Sequence, residues 1–132
     1  MNIFKKLTEL NLPLGEYVVV GSGLLAALGL REAVDLDVAV SQALFKKLLA
    51  KGNLKPETKY GRLFLVGEDL GVISRLNWDD YQTDVHEAIR TAMIIKGFPF
   101  LNINETIKFK RALGREKDRQ DIDRLEKYLA LG

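Results

Sequence analysis

A chain of 132 residues with 47% apolar side chains can build one domain around a real core and leaves little room for a second. It has no cysteine and a single histidine, which excludes disulfides, thiolate zinc sites and histidine-rich metal clusters, so any metal must be held by oxygen. A net charge of +2 is too small to indicate nucleic acid as a partner. The longest apolar run, Val18 to Leu30, is interrupted by Gly21-Ser22-Gly23 and falls short of the roughly 20 residues of a membrane span. Lys5 and Lys6 follow apolar residues with no apolar stretch behind them, unlike a signal peptide. The expectation is a soluble cytoplasmic protein without a membrane segment.

In chain order, apolar residues at Ile3, Phe4, Leu7 and Leu10 predict a short amphipathic helix, closed by Asn11-Leu12-Pro13 and Gly15. The β-branched run Tyr17 to Val20 predicts a buried strand, and Leu24 to Leu30 a helix after a tight Gly-Ser-Gly turn. Asp35 to Val40 reads as the next strand. Ser41 is a good cap for a helix to Lys51, stopped by Gly52. Asn53 to Lys59, with Pro56, reads as a loop, followed by a hairpin of Arg62 to Val66 and Val72 to Leu76 around Gly67 to Gly71. Asp84 caps a helix expected to run to about Lys96 with Val85, Ala88, Ile89, Ala92 and Met93 inward, and Gly97 to Leu101 is extended. Asn104 is taken to cap a helix to Leu113. A last helix, Lys117 to Leu131, should bury Ile122, Leu125, Tyr128 and Leu129. This order predicts an α/β (α+β) domain over residues 1–132, with a mixed sheet and helices packed largely on one face. Its core spans about 17–76 and its C-terminal helices about 84–131.

The chemistry-bearing stretch lies between Val18 and Val40. A helix start after Gly21-Ser22-Gly23 offers free backbone N–H groups and a positive dipole end to an anion such as a triphosphate. Asp35 and Asp37, two apart, share one strand face while Leu36, Val38 and Val40 take the other. Paired hard oxygen ligands suit Mg²⁺. An exposed strand face is the plainer account of the two acids, but such faces favour Thr or Lys over neighbouring like charges. Lys108, Arg111 and Arg115 fall at i, i+3, i+7, a basic stripe that could grip phosphates or merely be solvated surface. Asp118 and Asp121 open a helix, where acids favour the dipole. Trp78 and Tyr81 could stack on a base or cover the core edge. His86 is expected at the surface.

Strand, Gly21-Ser22, twelve residues and then Asp35-Leu36-Asp37-Val38 resembles the signature of the nucleotidyltransferase superfamily with the DNA polymerase β-like fold. The tail from Asn104 to Leu125, with Lys108, Lys110, Arg115, Lys117, Asp118 and Asp121, is similar to the Lys…Arg-x-Lys-Asp-x-x-Asp-Ile pattern of small bacterial members, which include toxins of abortive-infection systems. The resemblance implies transfer of a nucleoside monophosphate from a nucleoside triphosphate to an acceptor hydroxyl. It makes Asp35 and Asp37 the catalytic and metal-holding acids for Mg²⁺. Gly21, Ser22, Lys108, Arg115 and Lys117 become the triphosphate contacts. Active relatives carry a third carboxylate on a later strand. The corresponding strand here, Val72 to Leu76, has none, and Glu68, Asp69, Asp79 and Asp80 are the nearest substitutes. Two readings follow, an Mg²⁺-dependent enzyme or a degenerate module that binds nucleotide or a partner protein. With so short a chain, a homodimer or partner could supply the acceptor-binding wall.

Overall fold

The computed structural model describes all of residues 1–132 as a seven-stranded mixed sheet with six helices, an α+β arrangement. Helix α1 (Ile3–Leu10) is followed by β1 (Tyr17–Val20), α2 (Gly23–Ala27), β2 (Leu36–Val40) and α3 (Gln42–Lys51). Strands β3 (Lys55–Lys59), β4 (Arg62–Gly67) and β5 (Leu70–Ile73) come next, then α4 (Val85–Arg90), β6 (Met93–Ile95) and β7 (Phe98–Phe100). Helices α5 (Ile103–Leu113) and α6 (Glu116–Leu131) complete the chain. The strand order is β3-β4-β5-β2-β1-β7-β6, with β2 antiparallel to β1 and parallel to β5. No helix is long and apolar enough to cross a membrane.

The two-residue period of the strands divides the sheet cleanly. Tyr17 and Val19 of β1, Leu36, Val38 and Val40 of β2, and Leu70 and Val72 of β5 point into the larger core. There they meet Ile3 and Leu7 of α1, Leu24 and Leu25 of α2, Leu44 and Phe45 of α3, and Ile107, Ile122 and Leu125 from the last two helices. The other face is smaller: Val18, Val20 and Ala39 lie against Val85 and Ala88 of α4. Most helices therefore share one face. At the end of the opposite face, Asp37 stands in register with Val20 on one side and Gly71 on the other.

Several elements differ from the sequence reading. Residues 55–59 form an edge strand despite Pro56, because an edge strand pairs on one side only. The helix after Asp84 ends at Arg90, and Met93 to Phe100 turn back as a hairpin rather than extending it. Strand β5 begins two residues and ends three residues earlier than expected, and α2 is shorter. Asn102, not Asn104, caps α5, through its side-chain oxygen and the Glu105 N–H. Tyr128 and Leu129 are exposed rather than buried.

The C-terminal helices are tied to each other and to Arg31, in the loop before β2, by charge. Lys110 of α5 is 3% exposed at its side chain, and Asp118 and Asp121 of α6 are 1% exposed. Asp121 accepts two hydrogen bonds of 2.7 Å from Arg31, one of 3.0 Å from Lys110 and one of 3.2 Å from Arg124. Asp118 accepts from the Arg115 guanidinium and its backbone N–H, at 2.6 and 3.1 Å. No buried side-chain polar atom lacks a partner. Burial alone would raise the Asp121 carboxyl, but hydrogen bonds from Arg31 and Lys110 outweigh it and hold it down to about 2.

Removing one member of a buried ion network leaves the others uncompensated, so Asp121→Ala should cost about 3–5 kcal/mol, read as a lower urea midpoint. The same network gives a pH signature. The folded-state carboxyl titrates below its unfolded value, so its contribution is intact above about pH 4 and is lost as pH falls towards 2. Urea midpoints measured across that range should drop in the wild type.

Candidate functional site

A cleft of about 590 Å³ opens on the smaller face, between the ends of β1, β2, β4 and β5 and the α5–α6 corner. Gly21 and Ser22 line one side, Asp35 and Asp37 stand beside them, and Arg115, Lys117, Asp118 and Asp121 come from the corner. Strand β4 and the segment after β5 add Arg62, Phe64, Arg75 and Trp78. Of the residues singled out from sequence, Gly21, Ser22, Asp35, Asp37, Arg115 and Lys117 are thus brought together. Lys108 is not: it points to solvent and pairs with Glu105. Lys110, two residues on, takes the inward position, bound to Asp121. Its signal was present as the fourth member of the helical stripe Ile103, Thr106, Ile107, Lys110.

Asp37 is framed by glycines. Its two carboxylate oxygens would lie 2.5 Å from a β-carbon at Gly71 and 3.6 Å from one at Gly21. Gly21 also adopts φ +70°, a left-handed conformation that turns the chain sharply after β1. Asp37 reaches water in the cleft yet is surrounded by protein, and this burial, then the nearby charge of Asp35, raises its carboxyl pKa. Lys117, Lys59 and Arg115 act in the opposite direction. Ser22 heads α2 without a capping bond from its side chain, which leaves its hydroxyl free. Helix α2 is only five residues long, so its dipole adds less than the sequence suggested.

Charges in this cleft fall into two sets. Asp118 and Asp121 are matched with arginine and lysine, and burial of Asp118 is outweighed by the Arg115 hydrogen bond, which lowers its carboxyl pKa. Asp35 and Asp37 take part in no hydrogen bond or ion pair through their side chains, and Arg62, Arg75 and Lys117 pair with no acid. An unpaired carboxylate pair whose mutual repulsion would be relieved by a cation fits a divalent ion. Mg²⁺ in particular is commonly held by one or two carboxylates together with substrate phosphates. No third His, Cys, Asp or Glu side chain joins the pair in a metal-sized cluster.

Glu68, Asp69, Asp79 and Asp80 do not line the cleft. On β5 the positions sharing the face of Asp37 and Ala39 are Gly71 and Ile73, whereas Ser74 lies past the strand's end and does not line the cleft. Tyr81 is buried and donates its hydroxyl proton to Glu105, packed on Phe109, so it is a core-edge residue. His86 is exposed on α4. No protein-family model, curated protein or solved structure matches the chain. What the fold and the cleft define is an α+β domain with an acid pair and free cations at one end of its sheet.

Because neutralising two neighbouring acids removes repulsion and desolvation without breaking a bond, Asp35→Asn with Asp37→Asn should leave the melting temperature unchanged or raise it. A fall of several degrees would assign the pair a structural role. Gly71→Ala should displace the Asp37 carboxylate while the protein stays folded, read as a shifted Asp37 carboxyl NMR signal with an unchanged far-UV spectrum.

Proposed function

We propose that this cleft binds a nucleoside triphosphate with Mg²⁺ and transfers its nucleoside monophosphate to an acceptor hydroxyl, the chemistry of the nucleotidyltransferase superfamily that the sequence resembles. The observation that carries the reading is the charge left over in the cleft: two acids without cations and three cations without acids, around a Gly-Ser turn. A triphosphate carrying Mg²⁺ matches both sets at once. Asp35 and Asp37 would hold the ion, which when bound neutralises the triphosphate and favours departure of pyrophosphate. The Gly21 and Ser22 N–H groups and the Ser22 hydroxyl orient phosphate oxygens, and Lys117 and Arg75 balance their charge. In the transfer the acceptor oxygen bonds the α-phosphorus, the bond from that phosphorus to the bridging oxygen breaks with its electron pair leaving on pyrophosphate, and the hydroxyl proton passes to solvent. The open side of the cleft is left for the acceptor, and a second copy or a partner protein would complete its wall. A triphosphate substrate suits a cytoplasmic protein.

A second reading, a degenerate module that binds the nucleotide without turnover, is favoured by one feature: Gly71 and Ile73 stand on β5 where a third carboxylate would face the pair. Calorimetry and pyrophosphate release separate the two. Both readings expect ATP to bind with Mg²⁺, to lose that binding in EDTA or in Asp35→Asn with Asp37→Asn, and to bind about 1–2 kcal/mol more weakly in Ser22→Ala. Pyrophosphate release at an enzymatic rate supports transfer. Binding without release, improved for Mg²⁺ by Ile73→Asp, supports the module. Affinity for ATP that is indifferent to Mg²⁺ and to the double substitution contradicts both.

A further inference from the structure

The β3–β4 hairpin ends in Tyr60 and Gly61, with φ of +53° and +72°, the paired left-handed conformation of a tight two-residue turn. Asparagine is the usual residue at the first such position, and tyrosine there is strained. Tyr60 is nevertheless 77% exposed, so hydrophobic burial does not explain it. Instead it meets Trp78, with ring centroids 5.2 Å apart and planes at 88°. The Arg62 guanidinium lies 4.9 Å from the Trp78 ring centre. Trp78 is itself fixed by reciprocal backbone hydrogen bonds with Tyr81, of 2.9 and 2.8 Å. All three side chains line the same cleft as Asp35 and Asp37. Arg115, held by Asp118, lines the same cleft.

We infer that the Tyr60–Arg62–Trp78 lip is the subsite for the planar base of the nucleotide whose phosphates face Asp35 and Asp37. An exposed tyrosine ring beside an arginine held over a tryptophan ring offers surfaces on which a base stacks. Such surfaces accept any base, because each presents a π-face. The edge contact with Trp78 sets the Tyr60 ring at the mouth of the cleft.

This inference rests on the metal–phosphate reading, and inorganic tripolyphosphate separates the two. Trp78 is the chain's one tryptophan, so its fluorescence reports on the lip directly. With Mg²⁺ present, both ATP and tripolyphosphate should bind the wild type. ATP should bind more tightly and alone should change Trp78 emission. Tyr60→Ala should weaken ATP about tenfold, the scale of one base–aromatic stack, and leave tripolyphosphate unchanged. Tyr60→Phe should restore ATP binding. ATP binding no tighter than tripolyphosphate, or equally altered with it by Tyr60→Ala, overturns the lip's role and leaves the metal–phosphate reading standing. Failure of tripolyphosphate to bind with Mg²⁺ overturns that reading and the inference with it.

Discussion

The cleft exists because α5 and α6 are fastened to the loop before β2 by one buried cluster of charge. Asp121 gathers Arg31, Lys110 and Arg124, while Asp118 holds Arg115 at the head of α6. Hydrophobic contacts of Ile107, Ile122 and Leu125 bring the helices to the sheet, but those contacts are non-directional and would tolerate sliding. The ion network fixes the register at which the corner faces Asp37. It does so at a desolvation cost, and every polar group is satisfied in return.

With Asp118 and Asp121 committed to structure, the cleft has a division of labour among its acids. They are buried, matched and held ionised. Asp37 is set in a frame of two glycines, beside Asp35, with no cation in contact. A protein that needed these acids only for stability would have paired them, since unpaired arginine and lysine side chains line the same cavity. Keeping the two sets of charge apart is costly in the free protein, and a ligand that carries both signs would relieve that cost.

Much of this was legible in sequence where local physics decides the outcome. The β-branched run of β1, the Ser41 and Asp84 caps and the alternation of Asp37 with Leu36 and Val38 each declare their structure. The misses arise where tertiary context decides. Pro56 belongs to a strand because it sits at an edge. Met93 to Ile95 continues a helical pattern yet becomes β6, and the one local hint was Lys96-Gly97, which adopts φ of +52° and +84° in the hairpin turn. Lys108 and Lys110 have the same composition signal. Only the phase of the apolar stripe, and acids a helix away at positions 118 and 121, single out Lys110 as the inward one. Of the lip, Trp78 alone stood out in sequence as able to stack on a base; Tyr60 and Arg62 were beyond reach, because the lip joins a turn, a strand and a later loop that sequence spacing does not connect.

The central claim is that Asp35 and Asp37 are kept free for a divalent ion that arrives with phosphate. Its most direct test is a crystal structure of the protein with Mn²⁺ and a non-hydrolysable nucleoside triphosphate, with the ion located by its anomalous scattering. The account predicts an anomalous peak within coordination distance of both carboxylates, bridged to phosphate oxygens that reach towards Ser22 and Lys117. A saturated crystal with no peak between those carboxylates, or with the ion and nucleotide lodged elsewhere on the molecule, would contradict it.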